Sequence, residues 1–160
     1  MAVDFFLKID GIPGESKDSK HAAEIDVLAF SWGLSQSGIG HQGGGHGAGK
    51  ANFQDLSFTH NIDASSTALM YACASGKHIP SAILVARKAG EKPLEYLKIK
   101  LTDILVTSVS TGGSGGEERQ TANVTLNYAK VTVEYTEQKT DGSGGPAKNF
   151  GWNVLKNEKV

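Results

Sequence analysis

The 160-residue chain carries 16 basic and 17 acidic side chains, a net charge of −1, and 39% apolar residues. That is the size and composition of one globular domain able to bury a core, and the balanced charge excludes a global field for nucleic acid or an acidic membrane surface. A single cysteine, Cys73, excludes an intrachain disulfide, and no stretch approaches the roughly 18 apolar residues of a membrane span.

In chain order, period-2 alternation dominates, which is the signature of strands with one buried face. Val3, Phe5, Leu7 and Ile9 alternate with Asp4, Phe6, Lys8 and Asp10. Asp4 and Lys8 interrupt this run and no basic segment precedes it, so it does not read as a signal peptide. Export, if it occurs, would need another route. Next, Leu28, Phe30, Trp32 and Leu34 alternate with Ala29, Ser31, Gly33 and Ser35, after a change of phase at Val27/Leu28. Leu56, Phe58 and Ile62 share a phase. Asp63 is a good N-cap and Gly76 a good residue just past a helix end. Between them Leu69, Met70, Ala72 and Cys73 form an apolar stripe, so the one substantial helix is predicted over residues 63–75. Leu97, Ile99 and Leu101 predict another strand. Val124, Leu126 and Tyr128 share one phase, and Val131, Val133 and Tyr135 the other, which predicts a bulge or a barrel corner between them. Phe150, Trp152 and Val154 predict a final strand. Glycine-rich loops are expected at 36–50, 111–116 and 141–146. The fold class expected is mainly β: a barrel-like pair of sheets, one domain, with the helix on its side.

The strand around Leu28–Ser35 has an unusual second face. Its large side chains should be core, but Ala29, Ser31, Gly33 and Ser35 are small and uncharged where a solvated face usually carries Lys, Glu or Thr. Such a face admits close approach of another surface, lines a cavity, or packs against the helix as a second buried face.

Several short motifs imitate catalytic ones. Gly44–Lys50 has the spacing of a phosphate-binding loop, but Ala51 stands where Ser or Thr would hold magnesium, and strand spacing follows instead of a helix. Gly112–Gly116 spells G-x-S-x-G around Ser114, but the triad histidine of that hydrolase motif follows the serine, and no histidine follows His78. His41, His46 and His60 lack a nearby cysteine or acidic ligand to complete a closed zinc site. Cys73 reads as core filling, and Asn123-Val124-Thr125 is a glycosylation sequon in spelling only. No enzyme, cofactor or metal is expected. A monomeric barrel binding a small molecule inside is the rival reading.

Longer blocks carry more information. Phe30–Gly38 (FSWGLSQSG), Asp55–Thr59 (DLSFT), Ala72–His78 (ACASGKH), Arg87–Gly90 (RKAG), Ser108–Glu117 (SVSTGGSGGE), Val124–Tyr128 (VTLNY) and Gly151–Asn153 (GWN) together resemble the Hcp (haemolysin-coregulated protein) family of type VI secretion, in family order along nearly the whole chain. The resemblance implies a structural subunit. Six copies would form a ring, and rings would stack into a hollow tube inside a contractile sheath, tipped by a spike protein. The subunit would be made in the bacterial cytoplasm, be secreted without a signal peptide, and carry small effector proteins in the lumen. No nucleic acid or membrane insertion is implied. The chain ends at Val160, so no fused toxin domain is expected. On this reading Ser31, Gly33 and Ser35 are candidates for the lumen wall, and Gly38, His41, Gln42, His46 and Lys50, in the long glycine loop, for ring stacking.

Overall fold

The computed structural model describes residues 2–38 and 49–160. Its strands are β1 (Val3–Ile9), β2 (Ile25–Ser31), β3 (Leu34–Ser35), β4 (Asn52–Phe53), β5 (Leu56–Asn61), β6 (His78–Lys88), β7 (Leu94–Gly112), β8 (Thr121–Gln138), β9 (Gly144–Asn153) and β10 (Glu158–Lys159), with the helix α1 (Ser65–Ser75) between β5 and β6. Six strands close on themselves in the order β8-β5-β2-β1-β6-β7, because β7 pairs back onto β8. All these pairings are antiparallel. The first half of β8 pairs with β5 and its second half with β9, so β8 belongs both to the barrel and to a sheet that continues into β9 and β10. β3 and β4 form a separate ribbon.

Side chains fill the barrel. Leu7, Ile25, Leu56, Leu84, Ile104, Val124, Leu126 and Val131 have no exposed surface, and Phe58 has 2%. This is the interior of a small packed barrel, not of a ligand-holding one. A groove of about 590 Å³ lies outside it, along β8, β9 and β10 beside Val133, Phe150 and Trp152.

Helix α1 stops where predicted, at Ser75, but its first helical residue is Ser65, two later than predicted, with Ala64 at the N-cap position and Asp63 bonding the first turn from just before it. The Asp63 carboxylate accepts from the Ser65 N–H (2.8 Å), and the Ser66 hydroxyl accepts from the Asp63 N–H (3.0 Å), a reciprocal cap. Gly76 takes the left-handed conformation (φ 69°) that ends it. Leu69 and Ala72 face the core, and Cys73 is half-buried at its margin. Met70 departs from the predicted stripe. It is 39% exposed beside the exposed Tyr71, because only a narrow strip of the helix touches β7.

The predicted phase changes have structural causes. At Val27 the register of β2 against β5 shifts by one residue. Leu28 is the extra residue, and it is expelled to 52% exposure where core was expected. Phe30 then turns inward against Phe5, with ring centroids 5.2 Å apart. Leu34 (47% exposed) is not core either, because β2 ends at Ser31 and Leu34 belongs to the ribbon. In β8 the change between Tyr128 and Val131 is matched in β7, where Ile104 and Leu101 are buried on opposite phases around Asp103 (φ 55°). The two strands turn this corner together and keep their register.

Four further segments differ from expectation. β6 has no clean alternation, since Leu84, Val85 and Ala86 are all buried, and periodicity could not flag a strand covered on both sides. Residues 111–112 extend β7, and 144–146 begin β9, so those glycine stretches are partly strand. The chain does not finish on the strand containing Phe150 and Trp152, because β10 folds back onto it.

Candidate functional site

The strands β2, β5, β8 and β7 lie side by side, and their registers align small polar residues across all four. One row runs Ala29, Thr59, Asn123, Ser110; the next runs Ser31, Ser57, Thr125, Ser108. The alternate residues Phe30, Phe58, Val124, Leu126 and Val109 point into the barrel, so period-2 geometry puts these rows on the outside. Hydrogen bonds tie the rows together. Thr59 donates to Asn123 Oδ1 (2.6 Å), and the Thr125 hydroxyl is bonded to those of Ser108 (2.5 Å) and Thr107 (2.7 Å). Neither row contains a charged side chain. Asp55 stands at the border, its two oxygens accepting from Thr107 (2.7 Å) and Asn127 (2.9 Å). Asn61, Thr121 and Gly112 continue the surface at the other end.

The opposite side of the barrel is charged. Arg87 on β6 holds Asp18 with two bonds (2.7 and 3.0 Å) and reaches Asp4 at 3.3 Å while lying over the Phe6 ring. His21 stacks on Phe6 and meets Glu95 at 2.6 Å and Glu24 at 3.0 Å. The segment between β1 and β2 thus straps that side with ion pairs, and buries Phe6 as well as the predicted Leu7 face.

Ser31 is exposed on β2, at the edge of the uncharged face, so that face does not pack against the helix as a second core. Gly33 and Ser35 have left it. The Gly33 backbone accepts from Gln54 N–H (2.9 Å) at the root of the ribbon, and Ser35 is exposed opposite Asn52. The root is held firmly: Trp32 donates to the Tyr128 hydroxyl (2.5 Å), which donates to the Gln54 carbonyl (2.6 Å). Burial pushes the Tyr128 phenol up from its ordinary pKa. Phe53 of the ribbon stacks on Phe150 and Trp152 of β9. Of the stacking candidates, Gly38 (φ 70°) and Lys50 flank the ribbon and are exposed. His41, Gln42 and His46 lie outside the described residues. The hydroxyls of β5, β7 and β8, from Ser57 to Thr125, are the part of this face that was not foreseen. The small-polar alternation was visible in each strand, but nothing in the sequence indicated which strands adjoin.

The catalytic look-alikes separate. Ser114 sits in the exposed hairpin between β7 and β8, a strand–turn–strand where a nucleophile elbow needs strand–turn–helix. Lys50 leads into β4, not a helix. His60 is fully buried in the barrel, His78 pairs with Asp103 at the surface (3.0 Å), and Asn123 is engaged by Thr59. Among the described residues no three His, Cys, Asp or Glu side chains gather to hold a metal, and no helix is long and apolar enough to cross a membrane.

A family model described as "Type VI secretion system effector, Hcp" matches residues 6–135. The chain is 63% identical to Protein hcp1 of Pseudomonas aeruginosa over 98% of both chains. It superposes on the crystal structure of Hcp1 from Salmonella typhimurium with a TM-score of 0.84 at 45% identity, covering all of both chains. On a solved structure of a type six secretion system protein the TM-score is 0.92 at 30% identity, over 99% of this chain and 100% of the other.

Proposed function

Because the chain belongs to the Hcp family of type VI secretion proteins, we propose that it is the structural subunit of the secretion tube. Six copies close into a ring, with the hydroxyl-lined face of β2, β5, β8 and β7 turned to the lumen. Rings stack into a tube within the contractile sheath, behind a spike, and small effector proteins travel inside. The subunit gathers in the bacterial cytoplasm and leaves the cell when the tube is driven out.

The observation that carries this reading is the pairing state at the two sides of that face. β1 pairs with β2 only as far as Val27, so Ala29–Ser31 pair with β5 alone. β6 pairs with β7 only as far as Leu105, so Val106–Gly112 pair with β8 alone. The four-stranded face therefore has an open edge on each side, and an open edge is a template for another strand. Three successive antiparallel pairings leave β2 and β7 running in opposite directions, so β7 of one copy suits β2 of the next in the same antiparallel pattern. Such a contact joins two different patches, and a head-to-tail contact of that kind forms a ring when its rotation closes. The lumen face would then continue from copy to copy. Its hydroxyls offer weak contacts to varied cargo, which suits loading and release.

Light scattering at several concentrations tests the ring. Six times the 16.9 kDa chain is about 100 kDa, the mass a closed cyclic hexamer holds on dilution. A monomer at every concentration sinks the tube reading and leaves the fold intact.

A further inference from the structure

His60 is a buried histidine with no role in the face described above. It lies on β5 with no exposed surface, between Val27 of β2 and Ala122 of β8 in the pairing register and 5.5 Å from the Phe58 ring. Neither ring nitrogen has a hydrogen-bond partner among the described residues. A buried, unpartnered imidazole gains nothing by being polar, which makes its place beside the helix cap informative. Its Nδ1 is 3.7 Å from Asp63 Oδ1, too far for a hydrogen bond. That same oxygen accepts the Ser65 N–H (2.8 Å) and the Ser65 hydroxyl (2.5 Å) at the start of α1.

We propose that His60 and Asp63 form a proton-operated catch: when His60 takes up a proton, the Asp63 carboxylate shifts from the α1 N-terminus to pair with the imidazolium. A charged imidazolium cannot remain buried without a counter-ion. The strand neighbours Val27, Ala122 and Phe58 supply none, and on the helix side the buried Ser65 and Ser66 are uncharged. Asp63 is the carboxylate within reach, and closing the gap to a charge-assisted bond of about 2.8 Å takes Oδ1 away from Ser65. Around Asp63 stand Glu15, Lys17, Asp26 and Arg119, which line one small pocket with it. Glu15 accepts the Ala64 N–H (2.5 Å) and so guards the next orphan donor. The helix would loosen at its first turn while Gly76 and the Leu69 contact hold its far end.

Burial holds His60 below the ordinary imidazole value, against the pull of Asp63. The sign follows. Above that value both folded and unfolded chains are neutral at this residue and nothing changes. Below it the unfolded chain takes the proton more readily, so stability falls as the pH drops from about 6.5. The response belongs to the single chain and does not depend on whether rings form.

The test is hydrogen exchange read by mass spectrometry on the full-length protein between pH 7.5 and 5. It follows the amides of residues 63–68, corrected for intrinsic pH dependence, and the C2 proton of His60. Protection of the first helical turn should fall about five-fold, the loss of one N-cap, in step with His60 protonation. His60→Leu and Asp63→Asn should both abolish that step, the second while keeping a capping oxygen. Should either variant fail to fold, the wild-type titration alone decides. The catch is overturned if His60 protonates without a loss of protection at the first turn, if it stays neutral to pH 5, or if the loss persists in a folded His60→Leu variant.

Discussion

Asp18 shows what one ion pair does at the surface of this barrel. Two Arg87 nitrogens donate to it, as do the backbone N–H groups of Lys20 (3.0 Å) and His21 (3.2 Å). The hydrogen bond from Arg87 is the main cause that holds its carboxyl well below the usual carboxylate range. A carboxyl lowered by folding contributes stability that is complete above the unfolded value and drains as pH falls through it toward the folded one. Asp18→Asn should therefore lower the melting temperature at pH 7. Its gap from wild type should narrow below about pH 4, a window separate from that of His60. Thermal melts across pH check this, and a gap constant down to pH 2 would contradict it. In the proposed ring Ser31 would act in a different way, as part of the lumen wall. It was identifiable from its strand alone, and the barrel places it among seven other small side chains on one open surface. Ser31→Gln should leave the ring mass unchanged and reduce recovery of cargo with the ring. Unaltered cargo recovery would remove the lumen assignment.

At the scale of elements, α1 was the most legible piece, since its start and stop are written in local chemistry at Asp63 and Gly76. A side chain at Gly76 would have to enter the left-handed region, so Gly76→Ala should cost about 1 kcal/mol, measured by denaturant unfolding. An unchanged midpoint would show that the helix end relaxes. The strands were legible where one face is wet. β6 was missed because both of its faces are covered, and Leu28 was misplaced because one extra residue between Val27 and Ala29 ejects it. The ribbon β3–β4 is short, yet its root is anchored by Tyr128, Trp32 and Gln54 and by the Phe53 stack. The glycine-rich sequence that follows Gly38 carries a high ordering cost, about 1–2 kcal/mol of entropy for each residue fixed, which suits the stacking contact of the proposed tube. Deleting residues 42–47 should spare rings and shorten tubes in electron micrographs. Tubes of normal length would exclude a stacking role for the loop.

For the whole molecule, the separation of charge is the organising fact. Charged side chains gather on the strapped side around Arg87 and His21, while the rows through Ser31 and Thr125 hold none. In a ring built as proposed, cargo would meet hydroxyl and amide groups, not a field. Loading should then change little between about 0.05 and 0.5 M salt, a range over which a charged lumen would lose most of its long-range attraction. Cargo retention on size-exclusion chromatography at the two salt levels checks this, and a steep loss would mean that charges outside the described rows govern binding.

The sequence by itself determined the secondary-structure class, the helix and its caps, the corner between Tyr128 and Val131, and the family, because each depends on neighbours in the chain or on long continuous blocks. The departure of Gly112–Gly116 and Gly44–Lys50 from the hydrolase and phosphate-loop patterns was also readable, from the missing later histidine and from Ala51. Only the tertiary structure decided which strands adjoin. That brought Ser57, Thr59, Ser108, Ser110, Asn123 and Thr125 beside Ser31, left Ala29–Ser31 and Val106–Gly112 as open edges, and set the buried His60 beside Asp63 at the start of α1. Strand alternation records which face a residue takes, but pairing joins residues tens of positions apart, and the energy that selects one partner over another comes from the packed interior as a whole.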